Sequence, residues 1–161
     1  MSKVVFNNTN NEFYQSLKAS VDEYFAEKKI KKTGDWRLFS KTIILVSAAV
    51  TMYALLMFAA PITWVALLLC AGLGFALASI GFSVMHDANH GSYSSHTKLN
   101  DLLGLSLNAM GASSFLWKQK HNIIHHTYTN VDGIDDDIAK SPVIRHCESQ
   151  KWVPAHKVQY L

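Results

Sequence analysis

Between Thr42 and Met85 the chain carries no aspartate, glutamate, lysine or arginine. A helix needs about 20 apolar residues to cross a bilayer, so a charge-free run of this length suits two crossings and not an ordinary soluble domain. Cysteine is scarce. Of the two present, Cys70 lies in the apolar run and Cys147 far from it. That excludes a disulfide framework and predicts a packing residue and a loop thiol in a reducing compartment. There is no internal repeat and no glycine-rich phosphate loop, so no bound nucleotide cofactor is expected. Nor is a nucleic-acid partner, at a net charge of only +3. No cleavable signal peptide is visible, because the first residues are polar and the apolar run starts late and runs long.

What is present falls into three parts in a chain of 161 residues. Residues 1–41 are polar. Thr9 followed by Glu12 is a capping-box pattern, and Phe13, Leu17, Val21, Tyr24 and Phe25 recur at helical spacing. An amphipathic helix is expected from Thr9 to Lys32, stopping at Gly34 and packing as a surface helix on the rest of the protein. The alternative is a helix lying at a membrane interface, aided by Lys28, Lys29, Lys31 and Lys32. Residues 42–85 form the apolar run, which Pro61 divides into Thr42–Ala60 and Ile62–Met85, a hairpin of two spans with a tight turn. Six lysines or arginines lie between Lys28 and Lys41, and Lys98 follows the second span. The turn has none, so both ends of the hairpin should face the cytoplasm. Residues 86–161 hold the chemistry. The fold class expected is all-α, an integral membrane helical protein.

Five of the eight histidines sit in two clusters, HDANH at His86–His90 and HNIIHH at His121–His126. Histidines at i and i+4 place two imidazoles on one helical face about a turn apart, the spacing converging metal ligands need. His86 pairs with His90 in this way, and His121 with His125. His126 should point roughly 100° away from His125, so that neighbouring histidines serve two metals. The second span can continue through His86 and His90 and end at Gly91, a natural C-terminal cap. Five histidines without a nearby cysteine exceed what one structural zinc needs. Between the clusters, Asp101–Trp117 is short for a span and weakened by Gly104, Asn108, Gly111, Ser113 and Ser114. If it crossed, the clusters would be separated, so a shared site requires that it does not cross. Asp135, Asp136 and Asp137 read mainly as a solvated loop or an acidic helix start, with metal-supporting roles as the alternative. His96, His146 and His156 stand alone and are not expected to be ligands.

HDANH at the end of an apolar helix, then WKQKHNIIHHTYTN followed by DGIDDDI, resembles the membrane-bound fatty acid desaturases. KKTGDWRLFSK and the late HKVQY extend the resemblance over nearly the whole chain, nearest to the bacterial acyl-CoA (linoleoyl-CoA-type) branch related to front-end desaturases. The resemblance implies that His86, His90, His121, His125 and His126 ligate a di-iron centre. It implies O2 as co-substrate and a fatty acyl-CoA or acyl-lipid substrate. An external cytochrome b5 or ferredoxin-type donor would supply electrons, and the location would be the bacterial inner membrane with the histidines facing the cytoplasm. Family members carry a third histidine box, which is not found before Leu161, nor is a haem-binding HPGG motif. The expectation is therefore a partial desaturase that alone binds iron poorly and does not turn over. Competing readings are a membrane di-iron alkane or carotenoid hydroxylase, a metal transporter or zinc-dependent membrane receptor, and an inactive truncated membrane protein.

Overall fold

The computed structural model describes residues 4–6, 9, 11–135, 137, 144–146 and 148–160. Its secondary structure is helical, with no strand among the described residues. Helix α1 spans Glu12–Lys28, α2 Trp36–Phe58 and α3 Thr63–Ile80. From α3 the chain runs on through a π-helical segment, Gly81–Met85, into α4, His86–Asn89. Three short helices follow, α5 (Thr97–Gly104), α6 (Ser106–Ala109) and α7 (Ser114–Trp117). A second π-helical segment, Lys118–His125, continues from α7, and Pro154–Tyr160 forms 3₁₀ turns.

Helix α1 is shorter than the apolar spacing predicts. It starts at Glu12 behind Asn11, whose side chain makes no capping bond, so Thr9 is not its cap. It stops at Lys28 because Lys29 turns left-handed (φ 53°) and its N–H closes onto Ala26 and Phe25 carbonyls. Gly34 does not end this helix. It gives close approach instead, since a Cβ there would stand 2.7 Å from the Tyr93 carbonyl oxygen. Nor does α1 pack as a surface helix on the rest of the protein. None of its residues is buried, and Phe13 is 80% exposed.

Helix α2 begins at Trp36, earlier than the charge-free run, because Asp35 caps it by accepting the Arg37 N–H at 2.9 Å. Arg37 and Lys41 thus lie on its first turns. The chain passes from α2 to α3 through Ala60 (φ 43°) and Pro61. Ala49 and Ala76 are buried where α2 and α3 pack, and Met52 lies against Gly72, whose missing Cβ would stand 2.7 Å from the Met52 sulfur. Small residues at a helix contact let the backbones approach. Trp36–Phe58 and Thr63–Asn89 are long and apolar enough to cross a membrane, and only 11% of each apolar window is buried. A helix at the core of a soluble protein would be mostly buried. Cys70 shares that exposure and is not a packing residue; Cys147 lies outside the described residues.

The segment after α4 is fastened back to the start of α2. Tyr93 is buried, donates its hydroxyl to Thr42 Oγ1 at 2.7 Å and packs edge-on against Phe39. The Gly34 N–H reaches the Ser92 and Tyr93 carbonyls. Asp101–Trp117 contains no continuous helix; α5, α6 and α7 are separated by turns, with Gly111 at φ 90°. Folding back in short pieces, this spacer brings the two histidine clusters together.

Candidate metal centre

The first cluster is placed by a long helix with one unusual turn. An α-helix advances about 100° per residue, so eight residues overshoot two turns by about 80°. The π-helical segment takes up that overshoot, with the His86 N–H bonded back five residues to the Gly81 carbonyl. The helix then ends as the sequence predicts, with Gly91 at φ 72°. The N–H groups of Gly91 and Ser92 bond the Ala88 and Asp87 carbonyls at 2.9 and 3.0 Å. Asn100, buried on α5, holds the loop behind it by bonds to the Gly91 and Ser94 carbonyls and the Ser94 N–H.

The second cluster lies in the other π-helical segment. Ser113 caps α7 by accepting the Leu116 N–H, and the helix widens at Lys118. His126 closes the wide turn, its N–H bonded five residues back to the His121 carbonyl. The wide turn aligns residues five apart, so His126 comes beside His121 while still standing on from His125. Its ring centroid is 4.9 Å from that of His90 and 5.1 Å from that of His121.

All five rings form one group. Centroid separations are 4.4 Å for His86–His90, 5.2 Å for His86–His121, 5.1 Å for His90–His121 and 4.9 Å for His121–His125. The Nε2 atoms of His86 and His90 face each other at 3.3 Å. Trp117, one turn before His121, stacks on its ring at 4.4 Å and meets His86 and His90 edge-on.

Carboxylates hold the opposite edges of these rings. His121 Nδ1 donates to Asp137 at 2.7 Å, His125 Nδ1 to Asp135 at 3.0 Å, and His86 Nδ1 lies 3.2 Å from Asp87. In a neutral imidazole an Nδ1–H given to a carboxylate leaves Nε2 as the free donor atom, oriented for a metal. Asp135 also accepts the backbone N–H groups of Asn130 and Asp137. The solvated-loop reading of the aspartates fails for Asp135, which is 2% exposed; Asp137 is exposed, as that reading expects, but accepts from His121. Asp136 lies outside the described residues. Burial alone would raise the Asp135 carboxyl, but the His125 bond and the two backbone N–H groups outweigh it and hold it below the usual range. His90 is pushed down to about 4 by burial and by the neighbouring His86, His126 and His121 rings.

The donor set fits a metal. One atom each from His86, His90 and His121 lies within 4.8 Å of the others, and so does one from each of His121, His125 and Asp137. The two groups share His121, so they compete for it. Outside the cluster, His156 is buried with Nδ1 accepting the Val153 N–H, and His96 and His146 join neither group. Sequence reasoning undervalued Asp135 and Asp137 and gave Trp117 no part in the site. The i, i+4 spacing of Trp117 and His121 was the available signal for the last.

An apolar cavity of about 650 Å³ opens beside the cluster. Leu77, Gly81, Phe82 and Met85 line one wall, Leu107 and Met110 another, and His86, Trp117 and His121 meet it at the histidine end. On the α3 wall the lining residues recur every four positions, a straight stripe that the wide π turn makes possible.

A histidine cluster that could hold a metal thus lies at the end of an apolar helix, backed by carboxylates and beside an apolar cavity. The family model for fatty acid desaturase matches residues 62–157, and the chain belongs to that family. It is 35% identical to an sn-1 linoleoyl-lipid 6-desaturase of Arthrospira platensis over 159 residues, 99% of this chain and 43% of that protein. A protein of the same description from Synechocystis is 40% identical over 147 residues, 91% of this chain and 41% of the relative. An acyl-lipid (8-3)-desaturase of Physcomitrium patens is 35% identical over 156 residues, 94% of this chain and 32% of that protein. The chain thus spans less than half the length of these curated relatives. No solved structure matches it.

Proposed function

We propose that the chain forms the histidine-cluster portion of a membrane acyl-lipid desaturase. The reaction removes one hydrogen from each of two adjacent methylenes, leaving a cis double bond. O2, two electrons and two protons join those hydrogens to give two waters. Two irons, when bound, would supply the O2-activating oxidant that an unactivated C–H bond requires. His86, His90 and His121 would hold one, and His125 and His126 would contribute to the other. The chain's own residues do the rest. Asp87, Asp135 and Asp137 hold Nδ1 protons and so direct Nε2 atoms inward. Trp117 packs over the cluster, and the apolar cavity would align a methylene chain against it.

The observation that carries this reading is the apolar cavity meeting the histidine rings at one end. An acyl lipid is favoured over acyl-CoA because the relatives named above are lipid desaturases. Trp36–Phe58 and the apolar part of Thr63–Asn89 ahead of His86 cross the bilayer, their exposed apolar faces against lipid, with the basic start of the first span and both clusters on the cytoplasmic side. Electrons come from a separate cytochrome b5 or ferredoxin-type protein. The test supplies membranes carrying the full gene product with a deuterium-labelled linoleoyl lipid, O2 and a reduced donor. Mass spectrometry should show an olefin lacking two deuteria and no hydroxylated product. A hydroxylated chain, or an unaltered one from iron-replete protein, overturns the proposal. Sidedness is tested separately by Ser114→Cys in a Cys70→Ser, Cys147→Ser background. Labelling by an impermeant thiol reagent from the outer face alone would refute the orientation.

A further inference from the structure

Asn89 and Asn122 lie inside the two clusters, between the histidines of each pair. The Asn122 side-chain Nδ2 donates to the Asn89 backbone carbonyl at 2.9 Å, across 33 positions of sequence. This bond joins the capped end of the α3–α4 helix directly to the wide turn that carries His121 and His125. Asn89 is itself 5% exposed, and among the described residues its carboxamide oxygen and nitrogen are buried without partners, as is the Asn122 side-chain oxygen. Buried amides left unpaired are costly, and an apolar residue would fill the same space without that cost. Helix α5 presses onto Asn89 at Gly104, where a Cβ would stand 2.4 Å from the Asn89 oxygen. The second cluster has no buried residue of its own, so its register against the first depends on few fixed contacts.

We propose that Asn122 is a positioning residue: its hydrogen bond to the Asn89 carbonyl, with Asn89 seated on Gly104, sets the distance and register between the two histidine clusters. The inference rests on the reading of those clusters as a metal centre. His86 and His90 come from one helix and His121 from another, so three ligands converge only while the helices keep one register. The Asn122 bond sits one residue from His121 and one from His90, where a small slip would separate the donors most. Its role is served by geometry alone, with no contact to substrate or metal.

The experiment titrates the full gene product, purified in detergent without metal, with Co²⁺ and follows the visible d–d absorption. Asn122→Asp is nearly isosteric but presents an acceptor to the Asn89 carbonyl. It should weaken Co²⁺ binding about ten- to a hundredfold, the range for groups that orient metal ligands from behind. It should also change the band pattern, reporting an altered coordination number. Gly104→Ala, which displaces Asn89 from the other side, should do the same. Thr129→Val removes a hydrogen bond to the His125 carbonyl in the same segment and should leave the spectrum unchanged. If wild-type protein binds no Co²⁺, the metal-centre reading fails. If wild type binds and folded Asn122→Asp and Gly104→Ala bind equally with the same spectrum, the positioning role is refuted. Each comparison is made per folded protein, from the circular dichroism of the metal-free sample.

Discussion

The two histidine clusters reach one site by opposite means. His86 and His90 are aimed by backbone: a long helix, one wide turn, and an end closed by Gly91 and Asn100. His121, His125 and His126 ride on a short, partly exposed segment and are aimed by partners, chiefly Asp135 and Asp137 from a loop downstream. A ligand set on a rigid rod fails when the rod is re-phased. One held by side chains fails when a carboxylate is removed.

The largest effect should come from re-phasing the rod. Inserting one alanine after Ala78, ahead of the Gly81–Met85 segment, turns His86 and His90 by about 100° relative to Leu77 and Ala78. Metal content should fall from a full to a negligible complement, while far-ultraviolet circular dichroism stays helical. Metal content near wild type would show that the winding of this helix is not what aims the first cluster.

Asp135→Ala breaks the other device. It strands His125 Nδ1 and the N–H groups of Asn130 and Asp137, and frees the ring to rotate. Metal affinity should drop about ten- to a hundredfold by equilibrium dialysis. Asp135→Asn, which keeps one acceptor, should lose less. Asp87→Ala should matter less than Asp135→Ala, since His86 is already fixed by its backbone. Equal losses at the two aspartates would erase the contrast between the clusters.

Acid should separate them further in the metal-free protein. His90 titrates near 4 in the fold, against about 6.5 when unfolded. Between those values the unfolded chain binds more protons, so stability falls as pH drops from about 6.5 and levels off below about 4. Asp135 has a lowered value, so its contribution is present above the ordinary carboxylate range and is lost only as pH falls through its depressed folded value. Thermal unfolding from pH 8 downward should therefore weaken first through His90. His90→Gln should flatten the curve between about pH 6.5 and 4 and leave the loss at lower pH.

Much of this was legible in the residues and some was not. The uncharged run and Pro61 announced two long apolar helices, and the pairs His86/His90 and His121/His125 announced two clusters on helical faces. The weak spacer Asp101–Trp117 could be read as broken because glycine, asparagine and serine interrupt it. The wide turns could not be read, because five-residue winding depends on tertiary packing that GFSVM and KQKHNIIH do not encode locally. The role of Asp135 was hidden for a related reason: an acidic run looks solvated until the chain folds one of its members against a ring. Exposure of α1 was equally unreadable, since its apolar stripe at Phe13, Leu17 and Val21 is the same whether or not anything covers it.

The smallest effect tests how far the backbone device depends on its last residue. Gly91 sits at φ 72°, and a Cβ there would meet nothing within 4 Å. Gly91→Ala thus adds no clash and pays only the left-handed backbone cost, about 1–2 kcal/mol. Gly91→Asn should lose less, because asparagine enters that region more readily. The Ser92 and Tyr93 N–H bonds to the Asp87 carbonyl, and the grip of Asn100 on the loop, remain in both variants. Chemical denaturation should register the loss, while metal affinity stays within about twofold of wild type. A drop in affinity as large as that of Asp135→Ala would mean that His90 is steered by its cap and not by the helix, and the first cluster would then be as dependent on local partners as the second.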